Sequence, residues 1–320
     1  MQKINDKIIQ GDALEVLKSL SSENIDCVVT SPPYFQLRDY GVKGQQGLEK
    51  TPEEYIENLC KVFDSVKRVM KKTGTLFVNL GDTYYGGGRN KNNKNPKIKS
   101  KTVRGLVNLG DTVPGPKGQA KSLAQIPSRF AIAMTDRGWI LRNEIVWQKP
   151  NAMPSSATDR FTVDFEKIFF FVRSTRYYFS QQLEAFRSNK YDRARMARGR
   201  TVYGNGKWAK ESGGAIKTQR AFVAGNANGR NKRCVWSINT KPLVTDGHHY
   251  ATYPESLVET LILAGSPPGG VVLDPFVGSG TTAVVAKKLG RHCIGIELKP
   301  EYIAMAEKRI AGVTAPLFHV

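Results

Sequence analysis

Short apolar runs alternate with amphipathic stretches along most of the 320 residues, and the order of the two kinds predicts the architecture. Residues 7 to 20, KIIQGDALEVLKSL, start as a short strand that ends at Gly11-Asp12. They continue as a helix with Leu14, Leu17 and Leu20 at helical spacing. The run Ile25 to Thr30, IDCVVT, reads as a buried strand, and Pro32-Pro33 stops it because two prolines continue neither a ladder nor a helix. Thr51-Pro52-Glu53-Glu54 is a helix start, with threonine as cap, proline in the first turn and acids near the positive end. Its apolar face of Ile56, Leu59, Val62, Phe63, Val66 and Val69 carries the helix to about Lys72, and Gly74 resets the chain into the strand TLFVN. Residues 7–80 therefore read strand–helix–strand–helix–strand, the pattern of a parallel, doubly wound sheet.

The same beat returns further on. Ser122 to Arg137 is helical in pattern, GWILRNEIVWQKPN gives a strand ending at a Pro-Asn break, and FEKIFFFVR gives another. Pro254 to Ala264 is a helix, VVLDPFVGSGTTAVVAKKLG is strand, glycine-rich turn and helix, RHCIGIEL is a strand ending in an acid, and Glu301 to Ile310 is a last helix. Two stretches lack any periodicity: a Gly- and Asn-rich segment, 86–121, and an Arg-, Gly-, Asn- and Tyr-rich segment, 181–234. The organisation predicted is one α/β domain contributed by 1–180, with 86–121 as a basic loop in it, and by 235–320, with 181–234 inserted between them. The pentapeptide NLGDT occurs at 79–83 and again at 108–112, and two copies do not make a repeat architecture.

Charge sharpens this picture. The chain carries a net charge of +20, and it is segregated. Gly86–Lys121 holds nine lysines and arginines against one acid, and Gln181–Cys234 thirteen against three, so eighteen of the twenty net charges lie in the two aperiodic segments. Two basic windows on a nearly neutral scaffold fit a polyanion groove, with nucleic acid as the expected partner. Cys27, Cys60, Cys234 and Cys293 are scattered without a CxxC pair, and the four histidines lack paired spacing; neither a disulfide framework nor a metal site is expected. The polar start MQKINDKIIQ and the lack of an apolar run near 18 residues predict a cytoplasmic protein without a membrane span.

Two short motifs carry the candidate chemistry. Gly278-Ser279-Gly280-Thr281-Thr282-Ala283 matches GxGxxA between a strand and a helix, and Glu297 ends the next strand about twenty residues on. That spacing suits a ligand over a helix N-terminus with its ribose hydroxyls on a carboxylate, and by itself it fits both NAD and S-adenosylmethionine. Asp274-Pro275-Phe276 intervenes before the glycines, and a carboxylate there suits a cationic ligand better than a diphosphate. The second motif is Ser31-Pro32-Pro33-Tyr34, a rigid extended turn that holds up a hydroxyl, backbone carbonyls and an aromatic ring.

With both motifs in view the chain resembles the amino-group DNA methyltransferases, in their β arrangement. There a [SDN]PP[YFW] motif precedes a target-recognition domain and an FxGxG motif comes last. Ser31-Pro32-Pro33-Tyr34 matches the first and Phe276-Val277-Gly278-Ser279-Gly280 the second. The resemblance covers roughly 1–85, 122–180 and 235–310. It implies a circularly permuted Rossmann-like methyltransferase fold with a mostly parallel sheet, helices on both faces and an irregular recognition insertion. It also implies S-adenosylmethionine as cofactor, held by Asp12 of the Gly11-Asp12 element, Asp274, Phe276, Gly278, Gly280, Thr281, Thr282 and Glu297.

The resemblance further makes Ser31, Pro32, Pro33 and Tyr34 catalytic. An exocyclic amine on cytosine or adenine is a poor nucleophile because its lone pair is delocalised. Hydrogen bonds from the NH2 to the Ser31 oxygen and the Pro32 carbonyl would draw the nitrogen toward sp3 geometry and aim the lone pair at the methyl group. Tyr34 would stack on a base that has left the duplex. Methylation at carbon 5 of cytosine is disfavoured, since it needs a cysteine that in that family adjoins a proline, and no cysteine here does. Serine at the first motif position leans to N4 of cytosine, with N6 of adenine as the alternative. Arg193, Arg195, Arg198, Arg200, Lys232 and Arg233 are candidates for contacts to double-stranded DNA, at phosphates or guanine edges. The resemblance leaves room for a cognate restriction endonuclease as partner and does not require one. An NAD-dependent dehydrogenase, in which SPPY is dispensable, and a nucleic-acid-binding protein without turnover remain the rival readings.

Overall fold

A computed structural model describes residues 6–42, 44–86, 115–116, 119–185, 230–241, 243–245, 248–250 and 252–314. The chain divides into two compact units, Met1–Ser180 with Cys234–Val320, and Gln181–Arg233. The larger unit is built on an eight-stranded sheet. Its strands are β1 (Lys7–Gln10), β2 (Ile25–Thr30), β3 (Met70–Leu80), β4 (Ile140–Gln148), β5 (Phe165–Val172), β8 (Val235–Ser237), β11 (Val271–Asp274) and β12 (His292–Glu297). Their spatial order is β1-β12-β11-β2-β3-β5-β4-β8. Every neighbouring pair is parallel except β3–β5 and β5–β4, so β5 alone runs against the rest.

Alternation along the buried strands explains why the sheet is covered on both faces. Leu76, Val78 and Leu80 of β3 and Phe169 and Phe171 of β5 join one core with helices α1 (Ala13–Ser19), α2 (Pro52–Val69) and α3 (Ile126–Asp136). Phe77, Ile168, Phe170 and Val172 point the other way, to α4 (Glu255–Gly265) and α5 (Thr281–Lys288). The helix α6 (Pro300–Ala311) packs beside α5 through Ala306. The unbroken apolar reading of IDCVVT and KIFFFV is thus two interleaved faces, as expected of strands buried on both sides. Phe77 and Phe170 stack at 4.6 Å between centroids, each side chain contributing about 1.5–3 kcal/mol by burial.

Several element boundaries differ from the sequence expectation. Thr51 caps α2, its hydroxyl accepting from the Glu54 amide, but the helix stops at Val69, and β3 begins at Met70 without waiting for Gly74. Met70 pairs with Ile25, and the register then shifts before Cys27 meets Thr75, so Lys71–Gly74 is absorbed as an irregularity in the ladder. The third helix begins at Ile126 and not Ser122, because the preceding residues pair with 83–85: Tyr85 N–H donates to the Ser122 carbonyl and Ala124 N–H to that of Thr83. The edge strand β8 and the hairpin of β9 (Leu243–Thr245) with β10 (His248–Tyr250) are too short to leave a periodic signal.

The smaller unit holds β6 (Leu183–Glu184) paired antiparallel with β7 (Arg230–Asn231). The Glu184 carboxylate accepts from Nε of both Arg230 and Arg233, each at 2.9 Å. Among the described residues no helix is long and apolar enough to cross a membrane, and no group of three His, Cys, Asp or Glu side chains is placed to hold a metal.

Candidate active site

Six strand ends converge on one edge of the sheet. The carboxyl ends of β1, β12, β11, β2 and β3 deliver Asp12, Glu297, Phe276, Ser31 and Asn79, and the reversed β5 delivers Glu166 from its amino end. Open α/β sheets bind ligands beyond the carboxyl ends of their strands, and a cavity of about 540 Å3 lies there, within the usual range for a cofactor or ligand site. Its lining includes Ser31, Pro32, Pro33, Tyr34, Asp12, Phe276, Gly278, Thr281 and Glu297. None of the four cysteines is among the lining residues.

At one side of the cavity the glycine turn folds back on Glu297. Gly278, at φ +52°, donates its N–H to Glu297 Oε2 at 3.0 Å, and Lys299 N–H donates to Oε1 at 2.8 Å. Burial pushes the Glu297 carboxyl above its ordinary range, and the backbone donors of Lys299 and Gly278 draw it back. Asp12 faces the cavity and also caps α1, accepting from the Glu15 amide at 3.1 Å. Tyr40 and Tyr302 meet edge to face at 6.2 Å and add aromatic wall.

At the other side the SPPY turn is held by a polar cluster. The Tyr34 hydroxyl donates to Glu166 Oε2 at 2.6 Å and accepts from Asn79 Nδ2 at 2.6 Å, and Ser31 Oγ reaches it at 3.4 Å. Asn79 Nδ2 also donates to Glu166 Oε2, and Lys149 forms an ion pair with Oε1 while lying over the Trp147 ring. Burial raises the Tyr34 phenol well above its ordinary value and the Glu166 charge raises it further, so the phenol stays a donor. Tyr55 in α2 donates to the Pro33 carbonyl at 2.8 Å and so ties the turn to that helix, while Pro32 lines the cavity.

Three residues expected at the cofactor are placed elsewhere. Asp274 is fully buried and outside the cavity lining. Its Oδ1 accepts from Thr30 Oγ1 (2.7 Å) and the Phe276 amide (3.0 Å), and its Oδ2 from Thr282 Oγ1 (2.6 Å) and the Tyr253 hydroxyl (2.9 Å). Four donors fill the carboxylate, and none of its acceptor capacity faces a ligand. Thr282 is buried in the same cluster, and Tyr253 also contacts it there. Gly280 is needed for packing: at φ +86° a Cβ there would lie 2.7 Å from the Ala306 Cβ of α6. Among the candidate DNA contacts, Arg193, Arg195, Arg198 and Arg200 lie outside the described residues, Arg233 is paired with Glu184, and Lys232 N–H donates to the Gln182 carbonyl.

No spacing or motif singles out Glu166 or Lys149. The first NLGDT copy does contain a signal, visible once its partners are known: Asn79 holds the Tyr34 hydroxyl, Gly81 makes room for the ring, and Asp82 Oδ1 accepts from the Ile126 amide at the start of α3. A Cβ on Gly81 would stand 2.6 Å from Tyr34 Cε2, and the ring cannot swing away while its hydroxyl is anchored. Gly81→Ala is therefore expected to slow turnover by about tenfold, the rate equivalent of ~1.4 kcal/mol, with cofactor affinity unchanged; steady-state kinetics and calorimetric titration check both.

A mostly parallel sheet with one reversed strand, a glycine turn answering an acidic strand end, and a proline-rich turn beside it define an α/β methyltransferase of the cofactor-binding kind. The sequence profile of the N6/N4 DNA methylases matches residues 25–308, and the chain belongs to that family. It is 40% identical to the type II methyltransferase M.SmaI of Serratia marcescens over 95% of this chain and 90% of that protein. It is 41% identical to the type II methyltransferase M.Cfr9I of Citrobacter freundii over 95% and 87%. The fold is that of the PvuII DNA methyltransferase, described as cytosine-N4-specific, at TM-score 0.63 and 20% identity, covering 97% of this chain and 88% of that one. A DNA modification methylase of Thermus thermophilus in complex with S-adenosyl-L-methionine matches at TM-score 0.54 and 22% identity, covering 96% of each. This protein is thus an S-adenosylmethionine-dependent DNA methyltransferase of the amino-group type.

Proposed function

We propose that the protein transfers a methyl group to N4 of a cytosine flipped out of a specific duplex site, as the modification partner of a cognate restriction endonuclease. The observation that carries the choice of base is Ser31: a neutral hydroxyl stands at the head of the proline turn, in the cavity, touching its neighbour Tyr34 at only 3.4 Å and otherwise able to accept from an amine. Lys149, which lines the same cavity, supports the reading. Beside its amine cytosine carries two acceptors, N3 and O2, where the same edge of adenine carries one, and an ammonium donor suits the richer edge. The type II relatives support the pairing with an endonuclease.

The residues lining the cavity fit the cofactor: Glu297 offers carboxylate oxygens for ribose hydroxyls, Asp12 a second acceptor, Phe276 an apolar wall, and Gly278 and Thr281 a turn without bulk. Bound there, S-adenosylmethionine supplies an electrophilic methyl on a sulfonium. The chain's own contribution is positioning. Ser31 Oγ and the Pro32 carbonyl accept from the two amine hydrogens and orient the nitrogen lone pair, and Tyr34, held by Glu166 and Asn79, offers the base a fixed ring. No side chain has to remove a proton before transfer, because the nitrogen becomes acidic only once it is alkylated. The unit Gln181–Arg233 is proposed as the target-recognition insertion, with Arg193, Arg195, Arg198, Arg200, Lys232 and Arg233 supplying phosphate and base contacts.

The test is to incubate the protein with labelled S-adenosylmethionine and unmethylated duplex DNA, digest to nucleosides and identify the product by mass spectrometry. N4-methylcytosine is the expected product. N6-methyladenine would overturn the choice of base and leave the positioning argument standing.

A further inference from the structure

The connection between β4 and β5 starts at the cavity rim and carries apolar side chains into solvent. Met153 lines the cavity and is 88% exposed, and Phe161, eight residues further along the same connection, is 96% exposed, with Val163 half exposed two residues on. A loop free to collapse would bury such groups. This one is braced: the Lys149 amide donates to the Asp164 carbonyl at 2.7 Å across its base, and Asn151 exchanges hydrogen bonds with the Thr240 backbone. Lys121 pairs with Asp159 at 2.6 Å, and the Arg160 guanidinium lies over the Tyr84 ring at 3.8 Å. The bracing fixes the segment on either side of Phe161 and leaves the ring itself standing out.

We propose that Phe161 is the wedge that enters the duplex at the position the target base leaves, with Met153 guarding the path from the stack to the cavity. The proposal rests on the reading of the site as a flipped-base pocket. A cavity of about 540 Å3 admits a base and a cofactor but no duplex, so the rest of the DNA has to lie on its rim, and the rim carries Met153. Most of a duplex surface is charged backbone, and the largest flat apolar surface it can offer an exposed phenyl ring is the face of an opened base step, thymine methyls being small by comparison. Arg160, the residue before the ring, adds a positive charge to this segment, which suits a polyanionic partner. Flipping costs a few kcal/mol in lost stacking and pairing, and a ring filling the gap returns part of it.

The wedge predicts a pattern that a merely structural residue would not give. With the recognition sequence mapped from the product, Phe161→Ala is expected to methylate a fully paired duplex at least about tenfold more slowly. A duplex mispaired at the target base, where flipping is already cheap, should be methylated within about twofold of the unaltered protein. Phe161→Leu, which keeps an apolar wedge, should recover most of the rate on paired DNA. The melting temperature and cofactor affinity should not move, because so exposed a side chain contributes little to the fold. Equal losses on paired and mispaired duplexes, or no loss on either, would overturn the wedge. So would a loss of self-association on sedimentation with the paired-to-mispaired ratio unchanged, which would assign the surface to a second copy of the chain. Failure of the underlying reading appears separately, as no methylated base from the unaltered protein, and the wedge then falls with it.

Discussion

Ser31→Ala is expected to lower the rate of methyl transfer by about 10²–10³ while cofactor affinity stays within about twofold. The size follows from what one preorganised hydrogen-bonding group contributes when it acts on the reacting atom. The specificity of the effect follows from the structure. The Ser31 hydroxyl has a single long contact, to the Tyr34 hydroxyl, and Tyr34 keeps its shorter bonds to Glu166 and Asn79 when that contact is lost. No buried donor is orphaned, so the fold and the cofactor half of the cavity should be untouched. Single-turnover kinetics with saturating cofactor, beside a calorimetric titration, separates the two quantities. An unchanged rate would sink the role assigned to the proline turn, and a parallel fall in affinity would relocate Ser31 to the cofactor.

The second large effect is on stability. Asp274→Ala is expected to cost about 3–5 kcal/mol, a fall in melting temperature on the order of 10 °C, measured without cofactor. Its carboxylate ties the last residue of β2, the glycine turn, α5 and Tyr253 together through four donors, and alanine leaves those donors without their acceptor in a dry interior. A cofactor ligand would behave oppositely, with the melting temperature of the free protein preserved and affinity lost. Burial raises the Asp274 carboxyl above its ordinary range despite these donors. An acid raised in the folded state contributes stability that is fully present below its unfolded value and is lost as pH rises through the folded one. Over that window above the ordinary carboxylate range, the gap between the two proteins should narrow as pH is raised.

How much of this is legible from residues alone depends on how local each cause is. The Thr51 cap, the proline stop after Thr30 and the strands Ile25–Thr30 and Phe165–Val172 are settled within a few positions, and the sequence predicts them well. The cluster around Tyr34 draws on Asn79 and Glu166, 45 and 132 positions away, with Lys149 behind them, and nothing in the spacing of those residues announces a shared partner. Asp274 reads as a ligand because a carboxylate at a strand end beside a glycine turn suits a cation. The structure places the hydroxyls of Thr30, Thr282 and Tyr253 around it, and convergence of hydroxyls from three segments leaves no periodic trace. Gly280 shows the same limit from the other side: the motif is recognisable, yet what requires the glycine is Ala306 on a helix that the motif does not include.

The strand order has a consequence for how the molecule is made. β11 lies between β12 and β2, near the middle of the sheet, yet it is built from residues 271–274, and β1 at the other end of the chain pairs only with β12. During synthesis the segment carrying the proline turn therefore leaves the ribosome long before the strand that completes its sheet. The first strand waits nearly three hundred residues for its neighbour. Contacts of such separation are slow to close, and until they do, the edges of β1 and β2 stand open to other chains. Newly made protein should depend on chaperones until its last strands arrive.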